Sequence, residues 1–231
     1  MRKRASKRYK KLIENTKTKR VETLEEGVKK VKQNCTTKFD ESIDVSLNLN
    51  LDLKKKKEEV NLRTVVNLPN GNGKKIKVAV LCEENKISEA KNSGAELVGS
   101  DNLIHNIASG KINFDKLIVT PAMMPKMGKL GKILGPKGLM PNPKLGTVTN
   151  DIKKTVKALK EGQIEIKNDK DGNIGASIGK KSFKDTKIIE NFNALIQTIQ
   201  KEKPNGIKGD FILSSYITST MGVSYKLKVR G

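Results

Sequence analysis

The side chains that most often carry acid–base or metal chemistry are scarce in this sequence. Histidine, the usual general base near neutral pH, occurs once, as His105. It lies in a short predicted helix among apolar residues, so we expect it at the surface or boundary of that helix and not in a catalytic role. Cys35 and Cys82 are far apart and lack paired spacing, which favours reduced, core-packed thiols over a disulfide or a zinc site. The sequence therefore predicts no metal site and no catalytic residue.

One segment resembles a calcium-binding loop only in part. Asp169 and Asp171 precede Gly172 as in such a loop. Lys167 stands where the first ligand belongs, however, and Ile178 replaces the bidentate glutamate. We predict a turn at this position.

Glycine and lysine alternate between residues 128 and 138, and a glycine-rich loop with lysines can cradle phosphate. The Gly-Lys-Ser/Thr ending of a Walker loop is absent, and no dinucleotide-binding fingerprint follows an apolar run. The alternative function is an RNA-modifying enzyme whose middle region binds a nucleotide, but the sequence offers no site for a cofactor. We predict a protein that is not an enzyme and uses no cofactor.

The overall charge indicates the chemical class of the partner. The 231 residues include 47 Lys and Arg against 25 Asp and Glu, a formal charge of +22, and a field of one sign attracts polyanions. The basic residues are spread along the whole chain, which places them on a folded surface. No run approaches the roughly 18 apolar residues of a membrane-spanning helix. The basic start is followed by no apolar block, so we expect no secretory signal and a cytoplasmic protein, with organelle import as the weaker alternative.

The elements that must position such a surface differ between the ends and the middle of the chain. Near the start, Thr23 and Glu26 form a capping-box pattern, which predicts a helix that buries Leu24, Val28 and Val31. Residues 42–53 alternate between apolar and polar side chains, which predicts a strand with one wet face. A second alternating stretch covers residues 60–67 and ends in the breaker cluster 68–73, our first domain boundary.

Similar patterns return near the end of the chain. Residues 164–178 predict a hairpin with its turn at 168–172. A helix from about Asp185 is predicted to bury a stripe formed by Ile189, Phe192, Ile196 and Ile199. Residues 211–219 alternate again and predict another strand.

The middle of the chain has a different pattern. Residues 76–81 and 117–119 are nearly all apolar, as in buried parallel strands, and two short helical stretches between them end at Gly94 and Gly110. Residues 149–151 are predicted to cap a helix that ends at Gly162, our second boundary. The chain is thus predicted to have an α+β split outer domain, formed by residues 1–67 and 162–231. In this domain an antiparallel sheet and helices are predicted to pack as a sandwich. Residues 68–161 are predicted to form an inserted α/β domain.

Residues 128–149, GKLGKILGPKGLMPNPKLGTVT, closely resemble the signature of the large-subunit ribosomal protein L-one family, of the bacterial type. Further blocks in family order are residues 38–45, 68–73, 95–99, 167–170 and 219–222. The resemblance implies a split domain that grips the stalk helices of large-subunit ribosomal RNA and an inserted three-layer, Rossmann-like domain, with hinge residues at Leu68, Pro69 and Gly162. It also implies a mobile stalk that takes part in release of exit-site tRNA, repression of the protein's own operon mRNA, and a monomer outside the ribosome.

By the same resemblance, the RNA contacts map onto the start of the first strand, the end of the last strand and one lysine between them: Lys38, Phe39, Glu41, Ser42, Lys167, Ser214, Thr218, Ser219, Thr220, Met221 and Gly222. Apolar side chains suit riboses and bases, hydroxyls suit phosphates and 2′-OH groups, and Gly222 suits close backbone approach. Phe39 as a core residue and Ser219 and Thr220 as ordinary strand residues are the alternatives. Glu41 would have to accept from a 2′-OH, a base amine or a lysine.

Three features leave the family roles open. Gly175 stands where bacterial relatives often have histidine, and Thr64 where they usually have glycine, so a contact or tight turn there is doubtful. The Gly- and Met-rich segment 123–145 could touch RNA or pack beside the hinge between the domains, and we favour the latter.

Overall fold

The structure, a computed structural model, describes residues 6–15, 21–50, 62–204 and 209–228. The helices are α1 (Lys7–Asn15), α2 (Leu24–Gln33), α3 (Ile87–Asn92), α4 (Asp101–Ala108), α5 (Met124–Met127), α6 (Gly131–Leu134), α7 (Ile152–Glu161) and α8 (Asp185–Lys201). The strands are β1 (Ser42–Leu49), β2 (Arg63–Asn67), β3 (Val78–Leu81), β4 (Leu97–Gly99), β5 (Lys116–Val119), β6 (Gln163–Lys167), β7 (Asn173–Lys180), β8 (Ile212–Ser219) and β9 (Tyr225–Leu227). Single 3-10 turns lie at Glu84–Lys86, Pro121–Met123, Gly128–Leu130 and Pro143–Leu145.

The chain divides into two compact units. The split unit contains the described residues of Met1–Gly73 and Ile164–Gly231, and the inserted unit contains Lys74–Gln163. The sequence placed the boundaries at 67/68 and 161/162. Leu68 lies inside the split unit because its side chain is buried, with 3% exposed, in the core of that unit.

The main sheet of the split unit is antiparallel, with strand order β7-β1-β8-β9. Its central strand β1 alternates as predicted, with Ile43, Val45, Leu47 and Leu49 buried and the intervening polar residues more exposed. Helices α2 and α8 pack on the buried face. The predicted extension of this strand to residue 53, the start of the next stretch at 60–61 and the lysine run 54–57 lie outside the described residues.

Helix α2 begins as the sequence predicts. The Thr23 hydroxyl accepts from the Glu26 amide at 3.4 Å, and the Glu26 carboxylate accepts from the Thr23 amide at 3.3 Å. These bonds satisfy two amide donors that a helix start leaves unpaired. Val28 and Val31 are buried and Leu24 is half-buried against the same core.

Two predictions for the second half of the split unit are wrong in detail. β6 and β7 do not form a hairpin: β6 pairs with β2 in a separate two-stranded sheet and β7 pairs with β1, so a single bridge, Asn168–Ile174, joins the two segments. The turn itself is present, because the Asp169 carboxylate accepts from the amides of Asp171 and Asn173. On α8, Ile188 is buried and Ile189 is only half-buried.

A parallel sheet with strand order β4-β3-β5 forms the centre of the inserted unit. The predicted strands β3 and β5 are confirmed, whereas the short β4 was not predicted. Alternate residues of β3 point into two cores. Ala79 and Leu81 pack with α4 and with the segment from Met123 to Leu134, and Val78 and Val80 pack with α3 and α7. The sheet therefore carries helices on both faces.

Helix α7 ends as predicted, at Gly162 with φ 113°. Its start differs in detail, because the Asp151 side chain makes no capping hydrogen bond and the Thr149 hydroxyl instead accepts from the Asp151 amide at 3.0 Å. His105 is exposed on α4, as expected. Cys35 and Cys82 are buried, as predicted, and burial raises the pKa of both thiols. Within the described residues, no helix is long and apolar enough to cross a membrane.

Candidate nucleic-acid interface

The two halves of the candidate site meet because β1 and β8 run antiparallel, with Ile43 opposite Ser219. The Ser42 amide donates to the Thr220 hydroxyl at 3.0 Å, and the Thr220 amide donates to the Ser42 carbonyl at 3.1 Å. These bonds join positions 178 residues apart in the sequence. We call this surface the β1–β8 patch and define it as residues 36–42 and 218–222.

A buried carboxylate lies beneath the patch. Glu41 is 0% exposed, and its carboxylate accepts from the Thr37 hydroxyl at 2.7 Å, the Thr37 amide at 3.3 Å and the Met221 amide at 3.1 Å. Burial by itself raises the pKa of Glu41, but the nearby Ser219 hydroxyl and the hydrogen bonds from Thr37 and the Met221 amide outweigh it and leave that pKa below its ordinary value.

The direct RNA contact predicted for Glu41 stays a prediction, and the structure shows an internal role for this side chain. The carboxylate is covered by the protein, and its oxygens already accept hydrogen bonds from both loops of the patch. Its structural effect is to hold the residues around Thr37 against the turn at Met221. The burial also keeps its negative charge away from the surface.

The exposed part of the patch contains two large apolar side chains, a lysine and the carboxylate of Asp40, which bonds to Ser182. Phe39 is 53% exposed and Met221 is 49% exposed, so the alternative of Phe39 as a core residue is wrong. Lys38 is also exposed. Thr220 is exposed although its hydroxyl bonds to Ser42. Because large apolar side chains are normally buried, two of them beside a lysine mark a surface suited to a partner with flat apolar groups and negative charge.

Ser219 and Gly222 lie deeper than the sequence suggested. Ser219 is 3% exposed and belongs to β8, so the alternative of a strand residue is confirmed for it. A Cβ added at Gly222 would collide with the Ser219 hydroxyl oxygen. A side chain at position 222 would force the Ser219 hydroxyl to move, and the role of Gly222 in close approach to RNA stays a prediction.

The remaining predicted contacts do not all join the patch. Thr218 belongs to the patch and lies opposite Asp44 of β1. Ser214 lies opposite Asn48, at the far end of β1. Lys167 ends β6 and is followed by Asn168, which bridges Ile174 near that same far end. With a rise of about 3.3 Å per residue, this end is roughly 20 Å from Ser42.

The sequence did not reveal several residues that shape the patch. Thr37 binds Glu41, and the Lys181 amide donates to the Glu41 carbonyl at 2.8 Å. Asp40 is held by the amide and hydroxyl of Ser182 at 3.0 and 2.8 Å. Arg8 donates to the Met221 carbonyl at 2.7 Å across 213 positions. Nothing in the local sequence around Arg8 could have indicated a contact at that separation.

Comparison with known proteins places this chain in a family. The model of the Ribosomal protein L1p/L10e family matches residues 31–223. The chain belongs to this family. The match spans both segments of the β1–β8 patch, and helix α1 precedes it.

Several relatives within the L1 family are similar over almost the whole chain. Large ribosomal subunit protein uL1 of Pelagibacter ubique is 60% identical over 225 residues, 97% of each chain. Large ribosomal subunit protein uL1c of Phaeodactylum tricornutum is 46% identical over 97% of this chain and 96% of its own. The uL1 protein of Rickettsia akari is 47% identical over 88% of this chain and 84% of its own. L1 proteins are structural and not enzymatic, so the prediction that the chain is not an enzyme is confirmed.

Proposed function

We propose that this protein is a structural constituent of the large ribosomal subunit that binds large-subunit ribosomal RNA directly through the β1–β8 patch. Membership of the L1 family and the names of the relatives support the ribosomal role, and with it a place on the cytoplasmic ribosome. One observation supports the RNA contact. The apolar side chains of Phe39 and Met221 are exposed, and hydrogen bonds to Glu41 hold the loops from which they project.

The chemistry of the patch fits RNA. Exposed apolar side chains can stack on bases and riboses, and hydroxyls can bond to phosphates and to 2′-OH groups. The lysines around the patch add attraction that does not depend on sequence. The buried Glu41 carboxylate orders the loops without presenting its charge to phosphate.

The finer role follows from the family resemblance. The protein and its RNA would form the mobile stalk beside the exit site and move as deacylated tRNA leaves. The same patch would bind a mimic of the ribosomal site in the protein's own operon mRNA and repress its translation. Outside the ribosome the protein would be a monomer.

The test is binding of the full chain to a large-subunit stalk RNA fragment and to an unrelated hairpin of equal length. Phe39→Ala and Met221→Ala each remove an exposed apolar contact, so we expect the cognate affinity to fall about tenfold, with a smaller effect on the unrelated RNA. Leu213→Ala is the matched control, because Leu213 is 59% exposed near the opposite end of β8.

Co-sedimentation with large ribosomal subunits and footprinting of the bound RNA complete the test. The footprint should disappear when either patch variant replaces the wild type at limiting concentration. Equal losses for cognate and unrelated RNA, or an effect of Leu213→Ala as large as that of Phe39→Ala, would show that the patch is not the specific site. A leader RNA from the operon should compete for the same patch if the repressor role holds.

A further inference from the structure

Helix α1 is tied to the β1–β8 patch by one side chain. The Arg8 guanidinium donates to the Thr36 hydroxyl at 3.1 Å and to the Met221 carbonyl at 2.7 Å. It therefore bridges the two chain segments that form the patch, at the residue whose amide is held by Glu41. Met221 is thus fixed from both sides, by a carboxylate at its amide and a guanidinium at its carbonyl.

The helix itself is anchored. Its start is capped by Ser6, whose hydroxyl accepts from the Tyr9 amide at 3.3 Å. Leu12, one helical turn after Arg8, is 4% exposed and packs in the core of the split unit. Arg8 and Leu12 consequently share the inward side of α1, since residues four apart lie on one face.

The outward side of α1 is mainly basic, and Glu14 is its one exposed carboxylate. Lys7, Lys10 and Lys11 are exposed, and Tyr9 is 36% exposed beside them. Both acceptors of Arg8 are neutral groups, and among the described residues no carboxylate forms an ion pair with it. Arg8 accordingly brings a positive charge to the edge of the patch, on the same helix as three exposed ammonium groups.

We propose that α1 is a third segment of the RNA interface, in which Lys7, Lys10 and Lys11 contact backbone phosphates and Arg8 positions the Met221 turn. The proposal rests on the RNA-binding function proposed above and adds a surface that precedes the family match at residue 31. Phosphate contacts fix the register of a nucleic acid, while the contacts to bases and riboses come from the patch. The helix would then hold the RNA backbone while Phe39 and Met221 contact its bases and riboses.

The phosphate part is tested with Lys7→Ala combined with Lys10→Ala, in the full chain, against the stalk RNA fragment. We expect affinity to fall about tenfold or more and the log–log salt slope to decrease by up to about two units, one for each lost phosphate contact. The control is Lys153→Ala combined with Lys154→Ala, which removes the same charge from exposed positions of α7. Equal losses in the two double variants would overturn the proposal, because only net charge would then matter.

The positioning part is tested with Arg8→Ala and Arg8→Lys. Both should lose preference for the cognate over the unrelated RNA, about tenfold for alanine, because an ammonium cannot span two acceptors as a guanidinium does. Lysine should retain the salt slope and alanine should lower it. Wild-type specificity in both variants, with unchanged melting temperatures, would overturn the positioning role. If the wild type itself fails to prefer the stalk RNA, the proposed function fails instead, so the two failures are distinguishable.

Discussion

At the scale of single residues, Glu41 shows how a buried charge can support the β1–β8 patch without being exposed on it. A buried carboxylate is costly unless it is hydrogen-bonded, and Glu41 receives bonds from both loops of the patch. Those bonds stabilise the ionised form and hold its pKa below the ordinary value despite burial. Glu41, which is an unusual residue type for an RNA contact, therefore has an internal supporting role in the structure, and its contact with RNA stays a prediction.

Glu41→Gln should destabilise the split unit by about 1–3 kcal/mol, because an amide cannot accept all the hydrogen bonds that the carboxylate accepts. The folded-state pKa of Glu41 lies below that of the unfolded chain. Its contribution to stability is therefore complete above the unfolded-state pKa and is lost as the pH falls through the folded-state pKa. Chemical unfolding as a function of pH should show this acid-induced loss in the wild type and a smaller one in the variant.

Glu25→Gln is the control for that experiment, since Glu25 is exposed on α2 in the same unit. Its stability should remain close to that of the wild type at every pH. An acid-induced loss in Glu41→Gln as large as in the wild type would contradict the role assigned to the carboxylate.

At the scale of elements, the breaker segment 68–73 is held against the split unit by a polar residue inside a helix. Asn191 on α8 is 0% exposed; its amide donates to the carbonyls of Gly71 and Ile178 at 2.8 and 2.7 Å, and its oxygen accepts from the Asn70 amide at 3.1 Å. A buried amide with all these partners specifies one arrangement of the segment. The hinge assigned to Leu68 and Pro69 stays a prediction. Any hinge here would have to form in a segment that is hydrogen-bonded to Asn191.

Asn191→Ala should lower the free energy of unfolding of the split unit by about 1–3 kcal/mol, because it leaves the Asn70 amide and two carbonyls without their partner. Proteolysis at residues 68–73 should accelerate for the same reason. Asn193→Ala is the control, because Asn193 is exposed on the same helix. Similar stability of the two variants would mean that Asn191 does not anchor the segment.

At the scale of the whole molecule, the formal charge of +22 dominates the interaction with any polyanion. Neutralised phosphates release counterions, so affinity should fall steeply with salt, by about one unit of log–log slope for each contact. The slope is measured by titrating the stalk RNA fragment between about 50 and 200 mM salt. A salt-insensitive complex would contradict the electrostatic contribution. Equal slopes for cognate and unrelated RNA would show that the preference for the cognate RNA comes from contacts other than those to phosphates.

Much of the local structure could be predicted from the sequence. The capping box at Thr23, the alternation of β1, the apolar runs of β3 and β5 and the helix end at Gly162 depend on residues within a few positions of one another. Periodicity and backbone preference act over that range, and the net charge follows from composition alone. The absence of catalytic and nucleotide-binding motifs indicated that no catalysis was to be expected, and the family resemblance named the segments of the candidate site.

Only the tertiary structure decided which of those residues meet and which of them face outward. β6 pairs with β2 and not with its neighbour β7, Ile188 and not Ile189 faces the core, and Arg8 reaches Met221 across 213 positions. The exposure of Phe39 and the burial of Glu41 likewise depend on packing between distant segments. Strand pairing and burial depend on which segments, distant in the sequence, pack together and exclude water. The residues next to a given position do not indicate which distant segment it will contact.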